Sequence, residues 1–466
     1  MATVKKTDVV ILGAGSAGLY SLPQIRRAGR SFIMLDGGVL GTTCALVGCM
    51  PSKALIQIAD DLQRTQLFAQ QGLLGAEEIT ADIPAVLSRV RSLRDRLSGG
   101  AIRHTLQPEG GEFLAENGYF SAPGQVQAGE YLIEATSFVI ATGSRPILPT
   151  PWQQFGDRVL TTDSLFEQQD LPQRIAVIGL GAIGLELGQA LSRLGIEVHG
   201  FDQLPQIAGI SDPEIEDFSY AVFHRELPMT LGVPAQITEL DEQLLVSAGD
   251  TRFVADAILV AIGRRPRLDS LRLDQAGITL GEDGLPDFDP ATLQVRGHPV
   301  FLAGDVNARL PLLHEAGDDG RISGVNACLQ QPLAFTRKVP LSVVYTDPQL
   351  CHVGARYEAL KNSDFVVGEA DFESLGRAVV MVRAEGLLQL YFDRQSRLLG
   401  AALLAPGAEH LAHFLALAID RQMTAGQLLK VPYYHPCLEE ALYTAILDAY
   451  QQLQGEPAIP VQLKVE

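Results

Sequence analysis

A chain of 466 residues has material for two or three domains with large cores. Its 55 acidic against 36 basic side chains leave a formal charge of −19, which argues against nucleic acid and anionic membrane surfaces as partners. Five cysteines are too few for a secreted disulfide framework, and no apolar run approaches the roughly 20 residues that a bilayer requires.

Lys5 and Lys6 precede an apolar run that Gly13 interrupts after Leu12, too short for a signal peptide, so the expected location is cytoplasmic. The 45 glycines and the low aromatic content of 6% suit an α/β protein with many tight turns. The first such turn is Asp8-Val-Val-Ile-Leu-Gly13-Ala-Gly15-Ser-Ala-Gly18. It reads as a buried parallel strand, a glycine turn and a helix start, with the helix over Leu19 to Ala28. Ser31 to Asp36 reads as a second strand ending in an acid. Gly13, Gly15 and Gly18 would let a pyrophosphate approach backbone N–H groups, and Asp36 would accept hydrogen bonds from a ribose.

Gly41-Thr-Thr-Cys44-Ala-Leu-Val-Gly-Cys49-Met-Pro-Ser-Lys53 comes next, followed by a helical-looking run from Ala54 to Gln71. Pro51 suits a first helical turn, which places Cys49 at or near a helix N-terminus, where a thiolate is favoured. The short loop can hold Cys44 and Cys49 close enough to bridge. The pair reads as a redox device, as two buried thiols, or as part of a zinc site whose other ligands lie elsewhere, since no further Cys or His lies nearby.

The glycine pattern then recurs. Arg174-Ile-Ala-Val-Ile-Gly179-Leu-Gly181-Ala-Ile-Gly184 leads into a helix over Leu185 to Leu194 and a strand over Glu197 to Asp202. Asp36 lies 23 residues after Gly13, and Asp202 lies 23 after Gly179. Two such sites in one chain suggest a bound flavin dinucleotide and a visiting nicotinamide dinucleotide. Asp202 would repel a 2′-phosphate and no Arg or Lys follows within five residues, so NAD is expected, although a solvated strand end would look the same.

Each copy ends in a similar phrase, Phe138-Val-Ile-Ala-Thr-Gly143-Ser-Arg-Pro146 and Ile258-Leu-Val-Ala-Ile-Gly263-Arg-Arg-Pro266, marking chain crossings near 146 and 266. Val300-Phe-Leu-Ala-Gly304-Asp305 is a further apolar strand capped by Gly-Asp, which could meet a flavin's sugar-like chain or be ordinary turn chemistry. From Val339 the pattern becomes that of an antiparallel sheet with helices. Tyr433-Tyr434-His435-Pro436-Cys437-Leu-Glu-Glu440 opens the last helix, expected to run to about Leu453. Glu440 bonded to one imidazole nitrogen would orient His435 and raise its basicity for acid–base work; a helix-capping His would look similar.

Taken together, these motifs resemble the flavoprotein disulfide reductases, and within them the dihydrolipoyl dehydrogenases, over essentially the whole length. The resemblance rests on both glycine fingerprints, Thr43-Cys44 through Gly48-Cys49 to Pro51-Ser-Lys53, Ala141-Thr-Gly-Ser-Arg-Pro146, Ala303-Gly-Asp305 and His435-Pro…Glu440. It implies an FAD-binding domain over 1–146 and 267–338, an NAD-binding domain over 147–266 and an interface domain over 339–466. The fold class is thus α/β, with two Rossmann-like domains and a C-terminal α+β dimerisation domain. It also implies a homodimer using His435 of the partner subunit, FAD and NAD as cofactors, and no metal. Cys44 becomes the thiol that exchanges with a disulfide substrate such as lipoamide or a protein-bound lipoyl group, and Cys49 the thiolate against the flavin. His435, oriented by Glu440, carries the proton; Lys53 and Glu186 form an ion pair near the flavin; Thr43 joins the cofactor-binding set.

Several positions depart from that family's usual pattern. Thr42 replaces a glycine, Leu46 an asparagine, Cys437 a threonine and Gln349 a glutamate, and Tyr434 precedes His435 where a small residue and His are common. Another disulfide substrate or a transhydrogenase-like paralogue is the alternative for an enzyme. A non-catalytic flavin-binding redox sensor is the alternative outside enzymes.

Overall fold

The computed structural model describes residues 3–106, 110–455 and 460–463. Its first sheet is built on Thr3–Leu12, whose Val9, Val10, Ile11 and Leu12 are buried, as a strand covered on both faces requires. Phe32–Leu35 and then Gly111–Leu114 lie parallel on one side of it, and Tyr131–Ile140 lies parallel on the other. Tyr131–Ile140 divides its pairing. Its first residues pair with Gln125–Ala128, in a hairpin with Gly118–Ala122, and its last three pair with Val300–Leu302.

The helix Ser16–Arg27 packs against Leu313–Asn326 through glycines. A Cβ added at Gly320 would lie 2.3 Å from the carbonyl oxygen of Ala17, and one at Gly324 2.6 Å from that of Ser21. The two backbones therefore approach as only hydrogen side chains permit.

The second glycine unit forms its own parallel sheet, in the order Met229–Thr230, Glu197–Phe201, Arg174–Ile178, Ala257–Val260, Val159–Leu160. The meander Gln236–Leu240, Gln243–Ala248, Thr251–Ala255 lies beside it. The two phrases read as chain crossings pair with each other: Ser144–Pro146 runs antiparallel to Arg264–Pro266, a tie between the way in and the way out of this unit. The C-terminal sheet is antiparallel, in the order Leu341–Val344, Gln349–Gly354, Leu398–Ala405, Leu387–Asp393, Phe365–Asp371. The helices Ala408–Asp420 and Glu440–Gln454 pack on it.

The cysteine stretch differs from expectation in two places. A short helix, Thr43–Leu46, lies between the cysteines, capped by Thr42, whose hydroxyl accepts from the Ala45 N–H at 3.1 Å. The long helix starts at Cys49, at the N-terminus expected there, with Gly48 as its cap, and ends at Thr65 rather than Gln71. Past Thr65 the bonds tighten to i→i+3, as in Leu67 to Arg64 and Phe68 to Thr65, and a 3-10 turn follows at Ala69–Gln71. Leu55, Ile56 and Ala59 are buried on one face of Cys49–Thr65, which packs on Ala182–Arg193 and Ile83–Leu106. Burying a Leu or Ile side chain contributes about 1.5–3 kcal/mol, enough to fix the helix against its neighbours.

Candidate functional site

The two glycine turns repeat each other bond for bond. Gly13 N–H donates to Leu35 O at 2.8 Å and Gly179 N–H to Phe201 O at 2.7 Å. Asp36 accepts from the N–H groups of Ala14 and Gly38 at 2.8 and 2.9 Å, and Asp202 from those of Leu180 and Leu204 at 2.6 and 2.9 Å. Each acid thus closes its own turn, with lone pairs left for another donor.

The glycines divide the work in the same way. Gly13 and Gly179 have φ of +107° and +94°, and a Cβ on either would strike the carbonyl oxygen of Ala141 or Ala261. At Gly18 and Gly184 a Cβ would lie 2.1 and 1.8 Å from the carbonyl oxygens of Gly13 and Gly179. At Gly15 a Cβ would meet only Ala141 O, at 3.9 Å, and at Gly181 it would meet nothing within 4 Å. Those middle glycines cap helices that have no side-chain cap, so N–H groups face open space at a positive helix end. That is a cradle for an anion such as a pyrophosphate, made twice.

Gly143, Gly263 and Gly304 all have positive φ, at +68°, +109° and +80°. Gly304 N–H donates to buried Asp319, and Asp305 accepts from the Ser144 hydroxyl at 2.8 Å. Ser144 in turn accepts from Arg264 Nε at 2.9 Å, so the crossing sheet holds Asp305. Arg264 and Ser144 were not foreseen, because their contact spans 120 residues of chain.

Cys44 and Cys49 are unbridged thiols within hydrogen-bond reach of each other, neither of them fully exposed. A Cβ at Gly48 would lie 3.1 Å from Thr43 O and 3.2 Å from Cys44 Cα, so a glycine there lets the helix start approach the short turn. The hydrogen bond from Cys44, reinforced by the Lys53 ammonium and a backbone N–H, lowers Cys49 to about 7, against burial and the Glu186 charge. Cys44 moves the other way, raised by its bond to Cys49 and by burial. The arrangement makes Cys49 the more acidic of the two thiols, ionising around neutral pH, and leaves Cys44 protonated.

Lys53 lies one helical turn beyond Cys49 and reaches Glu186 Oε2 at 2.7 Å; Glu186 is 5% exposed. Seven residues further along both helices, Asp60 meets Arg193 at 2.6 Å, and Arg193 also binds Glu226 and Asp347. This second cluster was not foreseen, although the matched seven-residue spacing (53 to 60, 186 to 193) was a visible signal.

His435 and Glu440 come together as expected, Nδ1 to Oε1 at 2.9 Å. Glu440 is the first residue of its helix and also accepts from the Cys437 N–H at 3.1 Å; these two bonds, that to His435 first, lower its pKa. His435 is exposed and borders a cavity of about 740 Å³ lined also by Tyr433, Glu440 and Tyr443; neither Cys44 nor Cys49 lines it. Cys437 Sγ donates to Tyr434 O at 2.7 Å. Among the described residues no cluster of His, Cys, Asp or Glu is arranged to hold a metal ion, and no helix is long and apolar enough to cross a membrane.

The family model for pyridine nucleotide-disulphide oxidoreductases matches residues 7–320, and the model for the dimerisation domain of the same family matches residues 340–446. A dihydrolipoyl dehydrogenase of Thermus scotoductus is 32% identical, covering 96% of this chain and 98% of its own. One of Halobacterium salinarum is 28% identical, covering 94% and 95%. Among solved structures, the HOCl-induced flavoprotein disulfide reductase RclA of Escherichia coli superposes with a TM-score of 0.84 at 22% identity, covering 95% of this chain and 99% of that one. LpdA of Mycobacterium tuberculosis gives 0.83 at 22% identity, covering 95% and 99%. With two glycine turns of matched geometry and a cysteine pair at a helix N-terminus in one chain, and both family models matched, this protein belongs to the pyridine nucleotide-disulphide oxidoreductases, enzymes that use FAD and NAD(P).

Proposed function

We propose that the protein is a dihydrolipoyl dehydrogenase, a homodimer that oxidises dihydrolipoamide, free or protein-bound, with NAD+ as acceptor. The observation that carries the reading is the cysteine pair in its setting: Cys49 opens a helix, Cys44 approaches it across Gly48, and Lys53, one turn on, is paired with Glu186 at 2.7 Å. The names carried by the curated relatives support the substrate.

In this reading residues 1–146 and 267–338 bind FAD, 147–266 bind NAD and 339–466 form the dimer interface. Gly13, Gly15, Gly18 and Asp36 hold the FAD pyrophosphate and ribose; Thr43, Lys53, Gly143, Gly304 and Asp305 line the rest of its site. Gly179, Gly181, Gly184, Asp202 and Gly263 serve NAD, and Glu186, paired with Lys53, lies near the flavin. When bound, FAD supplies a two-electron carrier between the cysteine pair and the nicotinamide.

His435 of the partner subunit, oriented by Glu440, takes a proton from one substrate thiol. The resulting thiolate attacks Cys44 of the oxidised pair; a substrate–Cys44 bond forms as the Cys44–Cys49 bond breaks, leaving Cys49 as thiolate. The second substrate thiol then attacks the substrate sulfur of the mixed disulfide, its proton passing to Cys44 as that sulfur leaves as a thiol, and the substrate's disulfide closes. Two electrons have moved from substrate to cysteine pair. Lys53 compensates the Cys49 charge, and the half-buried setting of the pair limits access of water.

The reading is tested with the purified holoenzyme, comparing NADH and NADPH oxidation against lipoamide, glutathione disulfide and mercuric ion. Turnover with NADH and lipoamide, exceeding that with NADPH because of Asp202, is expected. Turnover of another disulfide without lipoamide would overturn the substrate, and equal or better activity with NADPH would overturn the role of Asp202.

A further inference from the structure

The Lys53–Glu186 pair is not held by the two helices alone. The loop Tyr345-Thr-Asp347-Pro, which joins two strands of the C-terminal sheet, lies against Ala182–Arg193 and bonds to it at successive turns. Tyr345 N–H donates to Glu186 Oε1 at 2.7 Å, Asp347 N–H to Gln189 Oε1 at 2.9 Å, and Arg193 Nη2 to Asp347 O at 3.1 Å. The same Tyr345 presents its ring to Lys53, with Nζ 4.6 Å from the ring centroid. One residue therefore grips both members of the ion pair, the carboxylate by its backbone and the ammonium by its ring face.

Tyr345 is itself fixed from two sides. Its half-buried hydroxyl lies beside the Glu409 carboxylate, and the Glu409 N–H donates to Gln349 Oε1 at 3.1 Å. Asp347, two residues on, is anchored by Gln189 and Arg193. A ring held in this way limits where the flexible Lys53 stem can carry its charge, and an ammonium over an aromatic face is attracted by the ring quadrupole. Lys53 is one helical turn from Cys49 on the same helix, so its position sets the field at that sulfur.

We infer that Tyr345 is a positioning residue of this enzyme, whose ring holds the Lys53 ammonium where it stabilises the Cys49 thiolate. The charged and titratable groups that enter are Cys44, Lys53 and Glu186 around Cys49, with Glu409 and Cys351 beside the tyrosine. The inference rests on the reading of Cys49 as the redox thiolate.

The test is the pH dependence of the long-wavelength charge-transfer absorbance of the Cys49 thiolate against the flavin in the two-electron-reduced holoenzyme. Phenylalanine and its mono-, di- and trifluorinated forms are placed at position 345, preserving shape while the ring quadrupole is progressively cancelled. Tyr345→Leu serves as the complete deletion of the ring. Tyr345→Phe is expected to keep the wild-type midpoint near pH 7. Fluorination should raise it step by step, and Tyr345→Leu should raise it by about half a pH unit or more, the size expected for a partly desolvated cation–π contact. A flat fluorination series would overturn the inference, even if Tyr345→Leu proved unstable, because those variants keep the packing intact. A phenylalanine variant that shifts as far as the trifluorinated one would also overturn it, placing the effect in the hydroxyl. A wild-type Cys49 that titrates near 9 would remove the reading of the thiolate along with the inference, and the absorbance distinguishes these outcomes whichever disulfide the enzyme accepts.

Discussion

Asp60 gives a test in which two forces oppose each other with known sign. It bonds to Arg193 at 2.6 Å, and a buried ion pair broken on one side commonly costs about 3–5 kcal/mol. Arg193 is also shared with Glu226 and Asp347, so Asp60 receives only part of its charge. Burial, helped by the like charge of Asp347, raises Asp60 from 3.8 to about 6 in spite of Arg193. A folded carboxyl that holds its proton more tightly than the unfolded one opposes folding once it ionises, so stability falls as pH rises from about 4 to 6 and stays lower above that. The shift corresponds to roughly 3 kcal/mol at most, less after allowing for a side chain 25% exposed. Asp60→Asn, which retains an oxygen for Arg193 without the charge, should therefore stabilise the protein by about 1–3 kcal/mol at pH 8. The gain should fall to about half by pH 5, where the wild-type carboxyl is already largely protonated in the folded state. Denaturant melts of both proteins at pH 8 and pH 5 measure this. An Asp60→Asn protein less stable than wild type at pH 8 would show that pairing with Arg193 outweighs burial and would refute the reasoning.

Thr42→Ala removes the cap of Thr43–Leu46 and should speed hydrogen exchange at the Ala45 amide several-fold, whereas Thr42→Ser should not, matching a cap worth about 0.5–2 kcal/mol; equal exchange in all three would deny the cap its role. His435→Ala should slow the dithiol half-reaction by about 10²–10⁴-fold in stopped-flow traces while reduction of the enzyme by NADH continues at its normal rate, and equal slowing of both halves would contradict its assignment.

How much of this was legible in the sequence depends on how local each feature is. The glycine turns were, because the steric demands that fix Gly13 and Gly18 are met within the motif and by one returning strand, and the second copy obeys the same demands. The pairing of His435 with Glu440 was legible too, since five residues separate them across one turn. Thr43–Leu46 was not, because four residues carry no periodicity; only Thr42, read as a departure from the family pattern, hinted at a cap. Leu46 similarly lies against Gly41, where a Cβ would come within 2.8 Å of its side chain. Gln349 serves a backbone N–H of Ala408–Asp420, whose cap Gly407 has no side chain to offer. The Arg193 cluster and Tyr345 were beyond pattern reading, because their partners lie up to 159 residues apart and are assembled by packing of three separate units.

The central claim is that Cys44 meets the substrate sulfur while Cys49 faces inward as the thiolate. It is tested most directly by trapping. Reduced Cys49→Ser holoenzyme, incubated with the acyclic disulfide 2-hydroxyethyl disulfide and analysed by intact mass and peptide mapping, should carry a mixed disulfide on Cys44, since the released thiol diffuses away and neither Cys49 nor a tethered substrate thiol remains to resolve it. Reduced Cys44→Ser protein should carry little or none. An adduct that forms on Cys49 in the Cys44→Ser protein, with Cys44 left unmodified in the other variant, would contradict the account.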